Sequence, residues 1–358
     1  MSSEAGEVTA RVVARGFVHP WAVALMPDGA LLVTERNDGR LRVVRDGKLS
    51  DPVEGVPEVF RFEGETNRSQ AGLFDVRLHP DFADNRLVYL SLAAPTDRGA
   101  SVRIVRGRLG EGESPRLENV ETIFDMQEAD QDSSGLHFGG RMAIDAKNRA
   151  LFLTIGERRN ISRSQDGEDQ AGSVLRMTLD GEPMKDNPFL KDSERNDFIF
   201  AMGARNPQAI ALHPQTGEVW TADHGPKGGD RLDRIEAGAN LGWPYITAGV
   251  DYSGAPLGLA GGTREGMTKP LHVFSETVAP SGAAFHQGKM FAKWNGSLLV
   301  GGLANQALMR VSVNGQDVGD VEKIDIGRRV RDVEVAPDGS IWLVTEHADG
   351  ELVQLTSK

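Results

Sequence analysis

The amino-acid sequence predicts an all-β protein built as a six-bladed β-propeller. The chain has 358 residues, of which 42 are glycine and 17 are proline, and these turn-forming residues are scattered along it. Short runs rich in β-branched residues lie between the turns, and long apolar patterns of helical period are scarce, which is typical of strands. A third observation, an internal repeat with six copies, predicts the architecture.

The six repeated stretches share one pattern. Each contains a short apolar strand, a turn such as Pro-Asp-Gly and a second apolar strand that ends in a polar residue, followed by a more variable hairpin. Propellers repeat four-stranded sheets radially around a channel, so each copy predicts one blade. The copies are residues 20–44, 71–94, 133–160, 206–225, 280–303 and 330–355.

The distance between copies predicts loops inserted between or within the blades. The copies are roughly 50 to 70 residues apart, which is longer than in common short-blade repeats. The longest insertions fall at residues 158–172, 180–203 and 225–278. A chain of this length exceeds one simple core, so we expect a single closed propeller domain over residues 1–358.

Composition excludes several functions. The formal net charge is −12 and there is no block rich in lysine and arginine, which argues against a nucleic-acid partner. No apolar run is long enough for a membrane span, and the first residues do not form a signal-peptide pattern. The absence of cysteine excludes disulfides and thiolate chemistry, and it fits either the cytoplasm or the periplasm.

The repeat also predicts where a functional site lies. The start of an innermost strand and the end of its antiparallel partner lie at the same mouth of the channel. Polar residues occupy both positions, whereas the other mouth receives mostly generic turns such as MPDG and APDG. The strand starts supply Gln70, His137 with Arg141, Arg205 with Asn206, Ser281, and Arg329 with Arg331; the strand ends supply Glu35, Glu157, Asp223 with His224, and Glu346.

Two sets of these residues carry specific hypotheses. Glu157 lies one hairpin from His137 at the same mouth, so it could orient the imidazole and raise its basicity. The alternative for His137 is a hydrogen bond to a backbone carbonyl at a strand end. Arg205, Arg329 and Arg331 bring guanidinium groups to one rim, which suits an anionic small molecule, with surface ion pairs as the alternative. Arg328 should point to the opposite side of its strand.

The segment 221–244 and the remaining histidines are weaker signals. The loop exposes carbonyls beside Asp223, Asp230 and Asp233, so calcium could bind there, but without EF-hand spacing an ordinary loop is the better interpretation. Trp243 and Tyr245 could form a stacking wall or an aromatic plug between blades. We assign structural roles to the histidines that precede proline at the far mouth, His79 and His213.

Nearly the whole chain resembles the soluble glucose and aldose sugar dehydrogenases that use pyrroloquinoline quinone (PQQ), a family of six-bladed propellers. The motifs occur in the family's order and spacing: QAGLFDVRLHPDF, GLHFGGR, IGE, ARNPQAIALHP, HGPKGGD, NLGWPY, APSG and RVRDV. The resemblance implies oxidation of an aldose sugar to a lactone, with PQQ and Ca²⁺ as cofactors and an unidentified electron acceptor. It also implies a periplasmic or secreted location.

The resemblance assigns roles to individual residues. His137 would be the base that takes the proton from the anomeric hydroxyl, with Glu157 supporting it. Arg205 would lie near the reactive carbonyl of PQQ, and the backbone carbonyls of Gly225 and Pro226 would hold Ca²⁺. The residues that it implies for cofactor binding are Gln70, His137, Arg205, Asn206, Arg329 and Arg331.

One position departs from the family pattern. Ala304 stands where the family has a lysine that binds a cofactor carboxylate, and the nearest later cation, Arg310, is in a different register. Two alternatives to a dehydrogenase therefore stay open. One is a calcium-dependent lactonase, which needs carboxylate and asparagine ligands at a central metal and has no arginine cluster. The other is a non-catalytic propeller that binds a sugar or cofactor. The preferred sugar and the oligomeric state are not predicted.

Overall fold

The computed structural model describes residues 2–4, 6–62, 69–112, 115–260 and 262–357, and it is a six-bladed β-propeller. Helical segments are short in these described ranges. One α-helix, α1, spans Phe82–Asn85, and 3₁₀ turns span Glu128–Asp130, Arg163–Gln165 and Ala292–Trp294. None of the helices in the described part of the chain is long and apolar enough to cross a membrane. The predicted fold is confirmed.

The strands are numbered in chain order. The chain opens with β1 (Ser2–Ser3) and β2 (Gly6–Phe17). Blade 1 contains β3 (Pro20–Leu25), β4 (Leu31–Glu35), β5 (Arg40–Arg45) and β6 (Lys48–Leu49). Blade 2 contains β7 (Leu73–Leu78), β8 (Leu87–Thr96), β9 (Gly99–Leu109) and β10 (Leu117–Asp125). Blade 3 contains β11 (Met142–Asp145), β12 (Ala150–Ile155), β13 (Ser173–Thr178) and β14 (Ile199–Met202).

The second half of the chain continues the pattern. Blade 4 contains β15 (Pro207–Leu212), β16 (Val219–Asp223), β17 (Arg231–Ile235) and, after a loop with the short parallel pair β18 (Ile246–Thr247) and β19 (Leu259–Ala260), β20 (His272–Val273). Blade 5 contains β21 (Pro280–Phe285), β22 (Leu298–Gly302), β23 (Ala307–Asn314) and β24 (Asp317–Asp325). Blade 6 contains β25 (Val330–Val335), β26 (Ile341–Thr345) and β27 (Gly350–Ser357).

The two ends of the chain close the ring together. The innermost strands β3, β7, β11, β15, β21 and β25 contact one another in order, and β25 contacts β3. Strand β2 pairs antiparallel with β27, so blade 6 combines the last three strands with the first two. The sequence pattern did not predict this pairing, because β2 belongs to no repeat. The pairing of β2 with β27 leaves the channel bounded on all sides by paired strands.

The inner strands are apolar because neighbouring blades cover them. In β3, PWAVAL, five of the six residues are buried, and the hydrophobic clusters of the core lie between adjacent blades. The turn that follows β3 is closed by a hydrogen bond from the amide of Met26 to the carbonyl of Ala30, with Gly29 at a φ of 84°. This positive φ explains the glycine of MPDG.

Arg141 ties four blades together inside the channel. Its side chain is fully buried, and its guanidinium lies 2.9 Å from the Asp332 carboxylate and 3.8 Å from the centroid of the Trp21 ring. It also donates hydrogen bonds to the backbone carbonyls of Trp21, Gln208 and Arg331. These carbonyls come from blades 1, 4 and 6, and Arg141 immediately precedes the inner strand of blade 3. Arg141 therefore fills the channel at the level of these four inner strands.

Candidate active site

A cavity of about 740 Å³ opens at the mouth where the repeat predicts a site. Four residues that the sequence singled out for cofactor binding, Gln70, His137, Arg329 and Arg331, line it. The other lining residues in the described part of the chain are Trp21, Arg36, Ser69, Leu136, Arg159, Gln208, His224, Tyr252, Ala279, Leu303 and Glu346. The cavity is thus lined mainly by polar and cationic side chains, with an aromatic contribution from Trp21 and Tyr252.

His137 and Glu157 form a buried pair at this mouth. Nδ1 of His137 lies 2.6 Å from Oε2 of Glu157, which also accepts a hydrogen bond of 2.7 Å from the backbone amide of Arg159. The backbone amide of His137 donates to Oε1 of Gln70 at 2.8 Å. His137 has a φ of 53°, a left-handed conformation that is unusual for a residue other than glycine. Its ring is therefore held from several sides, with a carboxylate rather than a carbonyl as partner.

The electrostatics of the pair favour a neutral imidazole. Burial lowers the pKa of His137 below its ordinary value of 6.5, opposed by Glu157 and assisted by Arg205 and Arg159. Burial alone would raise the pKa of Glu157, but the hydrogen bond from His137 and its charge bring that pKa below its ordinary value. At neutral pH the histidine donates its Nδ1 proton to an ionised carboxylate. Nε2 is then left as a proton acceptor.

Three arginines converge on Glu346 at the opposite side of the cavity. Arg331 forms an ion pair with Glu346 Oε2, and Arg329 approaches the same oxygen at 3.4 Å. Arg36 donates to Oε1 at 2.9 Å. Although burial raises the pKa of Glu346, the charges of Arg331, Arg36 and Arg329 bring it down to about 2. Arg328 points away toward Glu351, with 3.5 Å between Nε and Oε2, as the strand alternation predicts.

Arg205 and Asn206, which the sequence also assigned to cofactor binding, are buried between blades 3 and 4 and do not line the cavity. Their backbone amides donate to the two carboxylate oxygens of Asp223, at 2.7 and 2.6 Å. The side-chain oxygen of Asn206 accepts a hydrogen bond of 3.1 Å from the amide of Gly139, two residues after His137. The side chain of Asn206 therefore faces the loop that carries His137. Burial raises the pKa of Asp223 to about 6 despite these two amide bonds.

The proposed calcium ligands lie beside Arg205. Nη1 of Arg205 donates to the carbonyls of His224 and Gly225, at 3.1 and 3.0 Å. Asp230 accepts the amide of Gly225 at 2.9 Å and, through its second oxygen, the amides of Val278 and Ala279. The third acidic residue of this segment, Asp233, pairs with Arg231. The described residues contain no group of three His, Cys, Asp or Glu arranged to hold a metal.

Seven of the residues expected at the mouth are buried and do not line the cavity: Arg141, Ser281 and Glu35, together with Arg205, Asn206, Glu157 and Asp223. Arg141 is fully buried in the channel below the cavity. Ser281 donates to the carbonyl of Val330 and is also fully buried. Glu35 is buried, accepting the amide of Val18 and pairing with Arg42, and the next residue, Arg36, lines the cavity in its place.

Among the aromatic residues that the sequence singled out, Trp243 is buried, and the Arg205 guanidinium lies 5.4 Å from its ring centroid. Tyr245 is half-exposed and lies under Arg264 instead. His79 accepts hydrogen bonds from backbone and side-chain donors near the far mouth, which agrees with a structural role. Sequence reasoning missed Trp21, Arg36, Gln208 and Tyr252 as lining residues. Only Arg36, directly after a predicted strand end, carried a usable signal.

The model for the family named glucose/sorbosone dehydrogenase matches residues 17–354 of this chain. The chain belongs to that family. An aldose sugar dehydrogenase of Escherichia coli strain K12, YliI, is 37% identical over 346 residues, which cover 95% of this chain and 90% of the relative.

Two solved structures are also similar. The apo-form of the soluble aldose sugar dehydrogenase from Escherichia coli superposes with a TM-score of 0.90 at 34% identity, covering 98% of this chain and 100% of the other. The PQQ-bound form of the aldose sugar dehydrogenase from Streptomyces coelicolor gives a TM-score of 0.80 at 27% identity, covering 98% of each chain. Both comparisons extend over all six blades.

Proposed function

We propose that this glucose/sorbosone dehydrogenase family member oxidises aldose sugars to lactones with PQQ and Ca²⁺ as cofactors. The observation that carries the proposal is the buried pair of His137 and Glu157, which opens onto a cavity lined by arginines. The name of the Escherichia coli relative and the bound PQQ of the Streptomyces structure support both the substrate class and the cofactor.

The lining of the cavity fits a cofactor with three carboxylates. Its charged side chains in the described residues are four arginines, Arg36, Arg159, Arg329 and Arg331, against one carboxylate, Glu346, so positive charge is in excess. Among the described residues, Nε of the lining residue Arg331 is buried and has no hydrogen-bond partner. Buried polar groups without partners are rare and costly in folded proteins. Carboxylates are the natural acceptors for these guanidinium groups.

The fit to Ca²⁺ depends on backbone oxygens. The carbonyls of Gly225 and Pro226 are oxygen ligands of the kind that calcium takes. They bring no negative charge, and the nearest acidic residue, Asp230, is committed to three backbone amides. A calcium ion there would draw its charge compensation from carboxylates of a bound ligand. It would also compete with Arg205 for the Gly225 carbonyl.

The chain's own chemistry in this reaction is proton transfer and positioning. Nε2 of His137 accepts the proton of the anomeric hydroxyl, and Glu157 stabilises the resulting imidazolium through Nδ1. Oxidation removes a hydride from the same sugar carbon, and PQQ when bound supplies the two-electron acceptor for it. Gln70 and Asn206 hold the backbone on either side of His137, so the base keeps its place relative to the sugar.

The two alternatives fit the site less well. A calcium-dependent lactonase needs no arginine cluster, yet three arginines converge on Glu346. A non-catalytic binding propeller needs no buried histidine whose ring is paired with a carboxylate. A periplasmic or secreted location stays a prediction.

The deciding experiment is reconstitution of the apo-protein with PQQ and Ca²⁺, followed by dye reduction with a panel of aldoses. We expect turnover with sugars that carry a free anomeric hydroxyl. His137→Ala should lower kcat by about two to four orders of magnitude while PQQ still binds. A wild type that binds PQQ without oxidising any sugar favours the binding propeller, and unchanged turnover in His137→Ala excludes the proposed base.

A further inference from the structure

We propose that Arg36 is a third arm of the site that binds the cofactor carboxylates, beside Arg329 and Arg331, an inference that rests on the proposed function. Arg36 follows β4 in blade 1, whereas the other two arginines and Glu346 come from blade 6. The clamp formed by these three arginines therefore spans the seam at which the first and last blades meet.

The surplus of positive charge around Glu346 is the first argument. Glu346 has one negative charge, and the ion pair with Arg331 already balances it. Arg36 and Arg329 add two further positive charges at 2.9 and 3.4 Å from the same carboxylate. The side chains of Arg36 and Glu346 are only 12% and 10% exposed, so water screens these charges poorly. Such a cluster is balanced when a ligand brings carboxylates of its own.

The unused hydrogen-bond donors are the second argument. Arg36 donates through Nη1 to Glu346 and through Nε to the side-chain oxygen of Asn37, at 3.0 Å. Nε of Arg331 is buried and has no hydrogen-bond partner within the described ranges. Glu346 thus orients the guanidinium groups while leaving some of their N–H groups free. Glu346 is accordingly a positioning residue in this clamp.

The rigidity of the Arg36 backbone is the third argument. Its amide donates to the carbonyl of His19, and its own carbonyl accepts the amide of Leu73 in blade 2, both at 3.0 Å. Gly72 packs so closely that an added Cβ would lie 2.1 Å from the Arg36 carbonyl oxygen. A flexible surface arginine has no such fixing. The backbone of Arg36, by contrast, is fixed within the wall of the cavity.

Arg36 also bears on the departure at Ala304. The resemblance implies a lysine there, and Ala304 removes that charge from blade 5. Arg36 supplies a charge from blade 1, on the other side of Arg329 and Arg331. The clamp would then hold a polycarboxylate with as many cations as the family pattern provides, but in a different arrangement.

The test is a PQQ titration of apo-proteins at fixed Ca²⁺ and salt, followed by absorbance and by tryptophan fluorescence, to which Trp21 in the cavity wall contributes. Arg36→Gln should weaken PQQ binding about 10- to 100-fold, because a bond to a charged group is lost. Arg36→Lys should recover part of the affinity, since lysine keeps the charge but not the planar fork. Arg40→Gln, which removes a nearby arginine paired with Asp38 outside the cavity, should bind like wild type.

Thermal unfolding of the same apo-proteins separates binding from structure. Arg36→Gln should leave apo stability close to wild type, since Glu346 keeps two arginines, and PQQ should stabilise the variant less. Lower apo stability with unchanged PQQ affinity would make Arg36 a structural residue and overturn the assignment. If the wild type binds no PQQ, the proposed function fails as well; equal affinity of wild type and Arg36→Gln overturns only this inference.

Discussion

Replacing Glu157 with Gln isolates the charge of the carboxylate that supports His137. Oε2 of Glu157 accepts both His137 Nδ1, at 2.6 Å, and the amide of Arg159, at 2.7 Å. In Glu157→Gln the amide oxygen should face these same two donors, so the ring keeps its orientation and tautomer. The bond to His137 changes from charge-assisted to neutral, a loss of about 1 to 1.5 kcal/mol. We therefore expect kcat to fall about 5- to 10-fold.

The pH profile of the same variant provides a second measurement. His137 must be neutral to accept a proton, so activity rises with pH through a pKa below 6.5, because burial lowers it. Glu157 opposes that lowering, so its removal should move the acidic limb further down in pH. Dye-reduction rates at saturating sugar across pH give both quantities. Glu121→Gln, which removes an exposed carboxylate paired with Arg106, is the control.

Two results would refute this reasoning. A loss as large as that of His137→Ala would mean that Glu157 does more than support the imidazole, for example by taking the proton itself. An acidic limb that stays in place would mean that the charge of Glu157 does not reach His137 in the working enzyme. PQQ affinity is measured alongside, because the pair lies at the cavity wall and a change in binding would otherwise be counted as a change in catalysis.

Two more predictions concern the cavity and the channel below it. Ala304→Lys should tighten PQQ binding by about 1 to 2 kcal/mol, since Ala304 is exposed and follows the lining residue Leu303. Equal or weaker binding in a PQQ titration would contradict the register inferred for that loop. Arg141→Met should destabilise the protein by about 3 to 5 kcal/mol in urea unfolding, because Asp332 is left buried without its partner. Arg45→Met, which breaks the exposed pair with Asp28, should cost about 0 to 1 kcal/mol, and equal costs for the two variants would refute the role of Arg141.

The blades were predictable because their signal is repeated and local. Each inner strand is an apolar run between turns, and all six begin within the predicted copies. The closing pair of β2 and β27 was not predictable in this way. It joins residues more than 300 positions apart, and β2 exposes one side of its length, so it lacks the apolar signature of a repeat.

The site was predictable as a place, and less so residue by residue. His137 and Glu157 were paired from their positions at one mouth, and the structure brings them to 2.6 Å. The role of Glu346 as the hub of three arginines was not predicted, because it depends on contacts between blades 1 and 6. Strand alternation gave the correct side for Arg328. The alignment of strand ends placed Glu35 at the mouth, whereas the next residue, Arg36, lines the cavity.

A β-bulge at the mouth explains why three lining residues could not be predicted from strand alternation. In blade 1, Pro20 pairs with Glu35 and Ala22 with Thr34, so Trp21 is the extra residue. The same shift leaves Gln208 extra in blade 4 and Arg331 extra in blade 6. All three bulged residues line the cavity.

Because a bulge interrupts the alternation of a strand, it turns a side chain that would face a neighbouring blade toward the channel mouth instead. The inner strands of blades 2 and 5 carry register shifts at the same end, whereas no shift is recorded between β11 and β12 in blade 3. Blade 3 instead presents His137 from the loop before its inner strand, through a left-handed backbone that bends the chain locally. Simple period-two reading fails at this mouth because the side chains that form the site are aimed by departures from regular strand geometry.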